Sequence, residues 1–117
     1  MLIGVPKEIK NHEYRVGLTP ESVAELVQDG NEVLVETGAG AGIGASDETY
    51  RQNGAEIIAT AKEIFDRADM IIKVKEPQAV ERAMLRQGQI LYTYLHLAAD
   101  LEQTKDLMAS GAVCIAY

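Results

Sequence analysis

Short apolar runs alternate with amphipathic stretches along almost the whole chain, and this restricts its fold more than any other feature. Leu2–Val5, Glu32–Glu36, Ala55–Ile58, Met70–Val74, Gln89–Leu95 and Ala112–Tyr117 read as strands. They are close to continuous apolar runs, not apolar–polar alternations, which fits burial on both faces of a sheet. Helix signals fill the gaps. Thr19 has the character of an N-cap, Pro20 of a first helical residue and Glu21 of a first-turn acid; Val23, Leu26 and Val27 follow at helical spacing as far as Gly30. Ser46-Asp47-Glu48 starts a short helix that stops at Gly54, and Thr60 with Glu63 has capping-box spacing ahead of Ala61, Ile64, Phe65 and Ala68. Val80, Ala83 and Met84 mark another helix, and Asp100 with Gln103 begins one carrying Leu101, Leu107 and Met108 to Gly111. This β-α-β-α order predicts an α/β fold: an open parallel sheet of about six strands with helices on both faces, Rossmann-like or flavodoxin-like.

With 117 residues the chain builds one domain around one core. A net charge of −7 argues against nucleic acid and anionic membrane as partners, because both attract basic faces. The start MLIGVPKEIKNHEYR has no apolar stretch of signal-peptide type, and no apolar run approaches bilayer length. Cys114 is the only cysteine, so an internal disulfide is impossible and a cytoplasmic setting is expected. Its place in the run Ala112–Tyr117 predicts a buried, inert thiol. The chain stops within its last strand, which reads as the end of a fragment.

Three polar residues stand just past strands: Arg15, Lys75 and His96. In an open α/β sheet the loops at the carboxyl ends of the strands gather on the edge where ligands bind. Arg15 lies in Lys7–Leu18, a connection longer than usual, and a guanidinium there suits a carboxylate held by two parallel hydrogen bonds. Lys75 is placed to hydrogen-bond a carbonyl oxygen and stabilise charge developing on it. Lys73, by contrast, is mid-strand, where an ammonium must snorkel or find a partner. His96 titrates near neutrality and suits proton transfer; His12 reads as a surface residue. Each of the three site candidates also has a bland reading, as a solvated cation or a satisfied histidine. Gly40–Ala45 matches the relaxed dinucleotide fingerprint G-x-G-x-x-A. That fingerprint needs a long helix starting at its third glycine, whereas here the helix signal comes later, at Ser46. No cofactor-binding residue and no metal ligand set is therefore assigned.

Several stretches together resemble the alanine dehydrogenase and transhydrogenase α-subunit family. They are Gly4-Val5-Pro6-Lys7-Glu8, Asn11–Val16, Thr19-Pro20, Glu36–Gly40, Lys73–Pro77 and Tyr94–Ala98. The resemblance implies reversible, NAD-dependent deamination of L-alanine to pyruvate and ammonium in a cytoplasmic homo-oligomer. It implies that Arg15 binds the substrate carboxylate, Lys75 the keto oxygen, and that His96 is the catalytic acid/base. It further implies that residues 1–117 are the amino-terminal segment of a discontinuous substrate domain. The NAD-binding Rossmann domain and the return segment then lie outside it, so the piece alone is expected to be inactive and to expose apolar surface. Two alternatives stay open: the α-subunit of a nicotinamide nucleotide transhydrogenase, and a stand-alone module binding small 2-oxo acids. Retention of Arg15, Lys75 and His96 together favours the dehydrogenase.

Overall fold

The computed structural model describes residues 1–117. Its elements run β1 (Leu2–Val5), α1 (Pro20–Gln28), β2 (Glu32–Glu36), α2 (Asp47–Gln52), β3 (Glu56–Ile58), α3 (Ala61–Arg67), β4 (Met70–Ile72), α4 (Ala79–Arg82), β5 (Ile90–Thr93), α5 (Leu101–Ser110) and β6 (Val113–Ala116). Single 3-10 turns occupy Ala41–Ile43 and Leu97–Ala99. The six strands form one sheet in the order β3-β2-β1-β4-β5-β6, and every pair is parallel. The chain builds outward from β1 to β3, then crosses back to place β4 on the other side of β1. The carboxyl ends of β1 and β4 therefore flank the point where the winding reverses, the usual place for a ligand crevice.

Residue identity explains how the layers assemble. Instead of the one core expected, alternate strand residues form two clusters, one on each face of the sheet: Ile3, Val5, Val33 and Val35 pack with Val23 of α1 and Tyr50 of α2, while Leu34, Ile71 and Leu91 pack with Ile64 and Phe65 of α3 and Leu107 of α5. Helices thus cover both faces, as the apolar runs require. Gly4 lets α3 come close to β1, since a Cβ there would lie 2.5 Å from Ile64 Cγ2 and 2.8 Å from Ala68 Cβ. Thr19, Ser46, Thr60 and Asp100 all accept a backbone N–H at their helix starts.

Some expectations are corrected. At Thr60 only half of the capping box forms, because the Glu63 carboxylate turns to Arg67; Glu81 instead accepts from the Gln78 N–H at 2.8 Å. The fourth strand ends at Ile72 and not Val74: the Lys73 N–H still donates to the Tyr92 carbonyl, but the N–H groups of Val74 and Lys75 are taken by a side chain described below. In α4 the buried residue is Glu81, while Val80 is exposed. Of Leu101, Leu107 and Met108, the apolar residues expected to pack from α5, only Leu107 is buried. Met108, 79% exposed, lines a groove with Leu97, Leu107 and Cys114 between α5 and β6, so Cys114 is half-buried instead of buried. Burial still raises its thiol pKa. Val113 and Ile115 on edge strand β6 are exposed as well. No helix is long and apolar enough to cross a membrane.

Candidate functional site

The switch point is built around one carboxylate. Glu8, just beyond β1, is buried and accepts three hydrogen bonds: from Lys73 Nζ at 3.1 Å, from the Val74 N–H at 3.1 Å and from the Lys75 N–H at 3.0 Å. The N–H groups of Val74 and Lys75 thus bond a side chain from beyond β1 and not a strand carbonyl, while the link to β5 persists through Lys73 N–H to the Tyr92 carbonyl and Tyr94 N–H to the Val74 carbonyl. Lys73 is itself 1% exposed and also lies 3.2 Å from Glu81 Oε2. The mid-strand lysine has thus found two partners. Glu81 Oε2 makes no aligned hydrogen bond, and burial first of all raises the Glu81 pKa, against the attraction of Lys73. Two carboxylates and one ammonium are packed directly beneath the loop that carries Lys75.

Arg15 occupies the long connection after β1, and two glycines explain why that connection is well defined. A Cβ on Gly42 would lie 2.1 Å from the Tyr14 carbonyl oxygen, and one on Gly17 would lie 2.5 Å from the Ile72 carbonyl oxygen. The loop is pressed on one side against the glycine-rich turn after β2 and on the other against the end of β4. Tyr50 adds a tether by donating its hydroxyl to the Leu18 carbonyl at 2.7 Å. A cavity of about 400 Å³ opens here, bordered by Lys7, Glu8, Glu13, Arg15, Gly38 and Gly42. The glycine stretch therefore has a packing role in positioning the loop. It does not fit a dinucleotide: the 3-10 turn Ala41–Ile43 follows Gly40, the six-residue α2 begins only after Ser46, and the space at Gly42 is filled by Tyr14.

His96 stands past β5 with φ +53° and ψ +43°, a left-handed conformation that costs a residue with a Cβ about 1–3 kcal/mol and gathers at functional sites. The flanking backbone holds it there. The Leu95 carbonyl accepts from buried Gln103 Nε2 at 2.5 Å, and the His96 carbonyl accepts from the Ala99 N–H at 3.2 Å. The imidazole is exposed and stacks on Tyr94, ring centroids 6.2 Å apart. Tyr94 in turn meets Tyr117, whose hydroxyl donates to the Lys73 carbonyl at 2.6 Å.

Arg15, Lys75 and His96 thus follow β1, β4 and β5, which are neighbours in the sheet. Beside the dominant hydrogen bond from Arg15, the charge of Lys75 adds slightly to the lowering of the Glu13 pKa. Glu76, paired with Lys10, has its pKa lowered against the effect of burial, with His96 a minor contributor. The cavity takes in Arg15 alone of the three; Lys75 and His96 lie outside its border. No three histidine, cysteine, aspartate or glutamate side chains gather as a metal site requires. Glu8, Glu13 and Tyr94 are the polar groups of this edge that sequence reasoning missed. The one signal for the two glutamates is that both fall in the polar run KEIKNHEYR, residues 7–15.

Comparison with known proteins agrees with this architecture. Residues 4–117 match the family described as alanine dehydrogenase/PNT, N-terminal domain. An alanine dehydrogenase of Halomonas elongata is 56% identical across all of this chain, which corresponds to 32% of that protein. A solved L-alanine dehydrogenase structure superposes with a TM-score of 0.97 and 51% identity, over 100% of this chain and 32% of that one. The transhydrogenase structure from Sinorhizobium meliloti has a TM-score of 0.92 and 31% identity, over 99% of this chain and 34% of that one. The chain spans about a third of the length of the curated relatives it matches.

Proposed function

This chain belongs to the alanine dehydrogenase/PNT amino-terminal domain family, and from that premise we propose that it supplies the substrate-binding part of an NAD-dependent enzyme interconverting L-alanine with pyruvate and ammonium. The carrying observation is that β1, β4 and β5, the strands that Arg15, Lys75 and His96 follow, are neighbours in the sheet, with His96 exposed on a left-handed backbone. On this reading NAD is the oxidant of the deamination and is held by a domain outside these residues, since the dinucleotide-like stretch Gly40–Ala45 is not followed at once by a long helix. The single cysteine suits a cytoplasmic setting. Apolar residues left uncovered on β6 and α5 are consistent with a homo-oligomer or with a further segment of chain lying over them.

Each residue has a task set by its chemistry. Arg15 binds the carboxylate common to alanine and pyruvate, and Lys75 donates to the substrate oxygen. Conversion of the imine to the ketone needs water to lose a proton as it adds and the amine to gain one as it leaves. A group that cycles between acid and base at neutral pH serves both steps, and His96 is that group. Its exposure leaves the ring open to substrate, while its backbone keeps it on the edge. The alternative, a transhydrogenase α-subunit, rests on the structural likeness at 31% identity and needs no amino-acid site. The test is alanine-dependent reduction of NAD by the complete enzyme. His96→Gln is expected to lower kcat by about a hundredfold or more. Wild-type kcat in that variant would refute the proton-transfer role, and no alanine-dependent turnover in the parent would favour the transhydrogenase.

A further inference from the structure

We propose that Glu13 is a positioning residue for Arg15: it grips one edge of the guanidinium and so presents the other edge, already oriented, to the substrate carboxylate. The inference rests on the reading of Arg15 as the carboxylate-binding group.

The bonding is specific to one edge. Arg15 Nε donates to Glu13 Oε2 at 2.9 Å and Nη2 donates to Oε1 at 2.7 Å, two parallel bonds along one side of the guanidinium. The Arg15 backbone N–H also donates to Oε2, at 2.9 Å. Of the five N–H groups on a guanidinium, the pair along the Nη1–Nη2 edge stays free, and that pair matches the two oxygens of a second carboxylate.

Glu13 is equipped to be the fixed partner. Its side chain is only 5% exposed, against 60% for Arg15. Its own N–H donates to the Lys10 carbonyl at 3.1 Å, and the intervening Tyr14 backbone is packed on Gly42. Both the main chain and the side chain of Arg15 are thus held before any ligand arrives. Hydrogen bonding from Arg15 keeps the Glu13 pKa near 2, so the brace stays ionised wherever the substrate carboxylate does.

A long, flexible side chain loses rotamer freedom when it is immobilised on binding, and the brace imposes that loss beforehand. Without it, substrate binding must supply the ordering. In the complete enzyme, Glu13→Gln keeps size and removes charge, while Glu13→Asp keeps charge but is too short to span both nitrogens. Each is expected to raise KM for alanine and for pyruvate by about three- to tenfold, the range for ordering one long side chain, with kcat changed by less than about twofold, as for loss of uniform binding. In an Arg15→Ala background the same substitutions should add nothing. A lower KM in Glu13→Gln would mean that Glu13 competes with substrate, and would overturn the brace. So would an unchanged KM in both Glu13 variants when Arg15→Ala raises it. If Arg15→Ala itself leaves KM unchanged, the assignment of Arg15 fails, and the brace with it.

Discussion

Replacing Lys73 with methionine tests the frame beneath the site. Methionine has similar bulk and is apolar, so the change isolates the charge. Lys73 Nζ lies 3.1 Å from Glu8 Oε1 and 3.2 Å from Glu81 Oε2, and the three side chains are 1–2% exposed. At an effective dielectric of about 20, each contact corresponds to about 5 kcal/mol of attraction, offset in the native protein by the desolvation of three charges. Deleting the shared cation leaves two buried carboxylates facing one another, and breaking a buried pair in this way costs about 3–5 kcal/mol. That is a large part of the ~5–15 kcal/mol by which a domain is stable. The pH dependence follows from Glu81. Burial already raises its pKa in the folded state, and Lys73 opposes the rise; without Lys73 the rise is larger. A group whose folded pKa lies above its unfolded value contributes stability that is present at low pH and lost as pH climbs through the folded value. The Lys73→Met defect should therefore be greatest near pH 8 and smaller near pH 5. Urea unfolding of the 117-residue chain, followed by far-UV circular dichroism at both pH values, measures it. A loss below about 1 kcal/mol at pH 8, or one that does not shrink at pH 5, would refute the reasoning.

Gly42→Val places side-chain atoms where the Tyr14 carbonyl sits and should displace the Arg15 loop. KM for pyruvate is then expected to rise while KM for NAD holds steady; the reverse pattern in steady-state kinetics would show that the glycine stretch serves the cofactor. Arg15→Lys keeps the charge but loses the planar pair of donors, so it should mainly raise KM for alanine and pyruvate. An effect confined to kcat in that variant would place Arg15 in the chemistry instead of in binding.

Local signals in the sequence were sufficient for the elements. Thr19, Ser46 and Asp100 each cap the helix their neighbours announced, and the six apolar runs became six parallel strands, because both signals depend on residues a few positions apart. Apart from the half-formed capping box at Thr60, where Glu63 turns to Arg67, what failed depended on distant partners. Glu8 reaches Lys73, Val74 and Lys75 only because β4 returns beside β1, and strand order is not written in any local pattern. The same pairing shortened the fourth strand. Met108 and Leu101 have the spacing of a core stripe but lie beyond the reach of the sheet, whose edge strand β6 leaves them uncovered. Lys73 was legible as a residue in need of a partner, though not which one. Position past a strand was enough to single out Arg15, Lys75 and His96, whereas the bond between Glu13 and Arg15 depends on how the loop turns, which two-residue spacing does not specify.

The proposed function requires Arg15, Lys75 and His96 to serve one substrate. A crystal structure of the complete enzyme with pyruvate bound tests it most directly. The carboxylate of pyruvate is expected on the Nη1–Nη2 edge of Arg15 and the keto oxygen on Lys75 Nζ, each within about 3 Å, with the His96 ring facing the keto carbon and Glu13 still on Arg15. Pyruvate bound away from this edge, or touching Arg15 while Lys75 and His96 stay clear of it, would contradict the account.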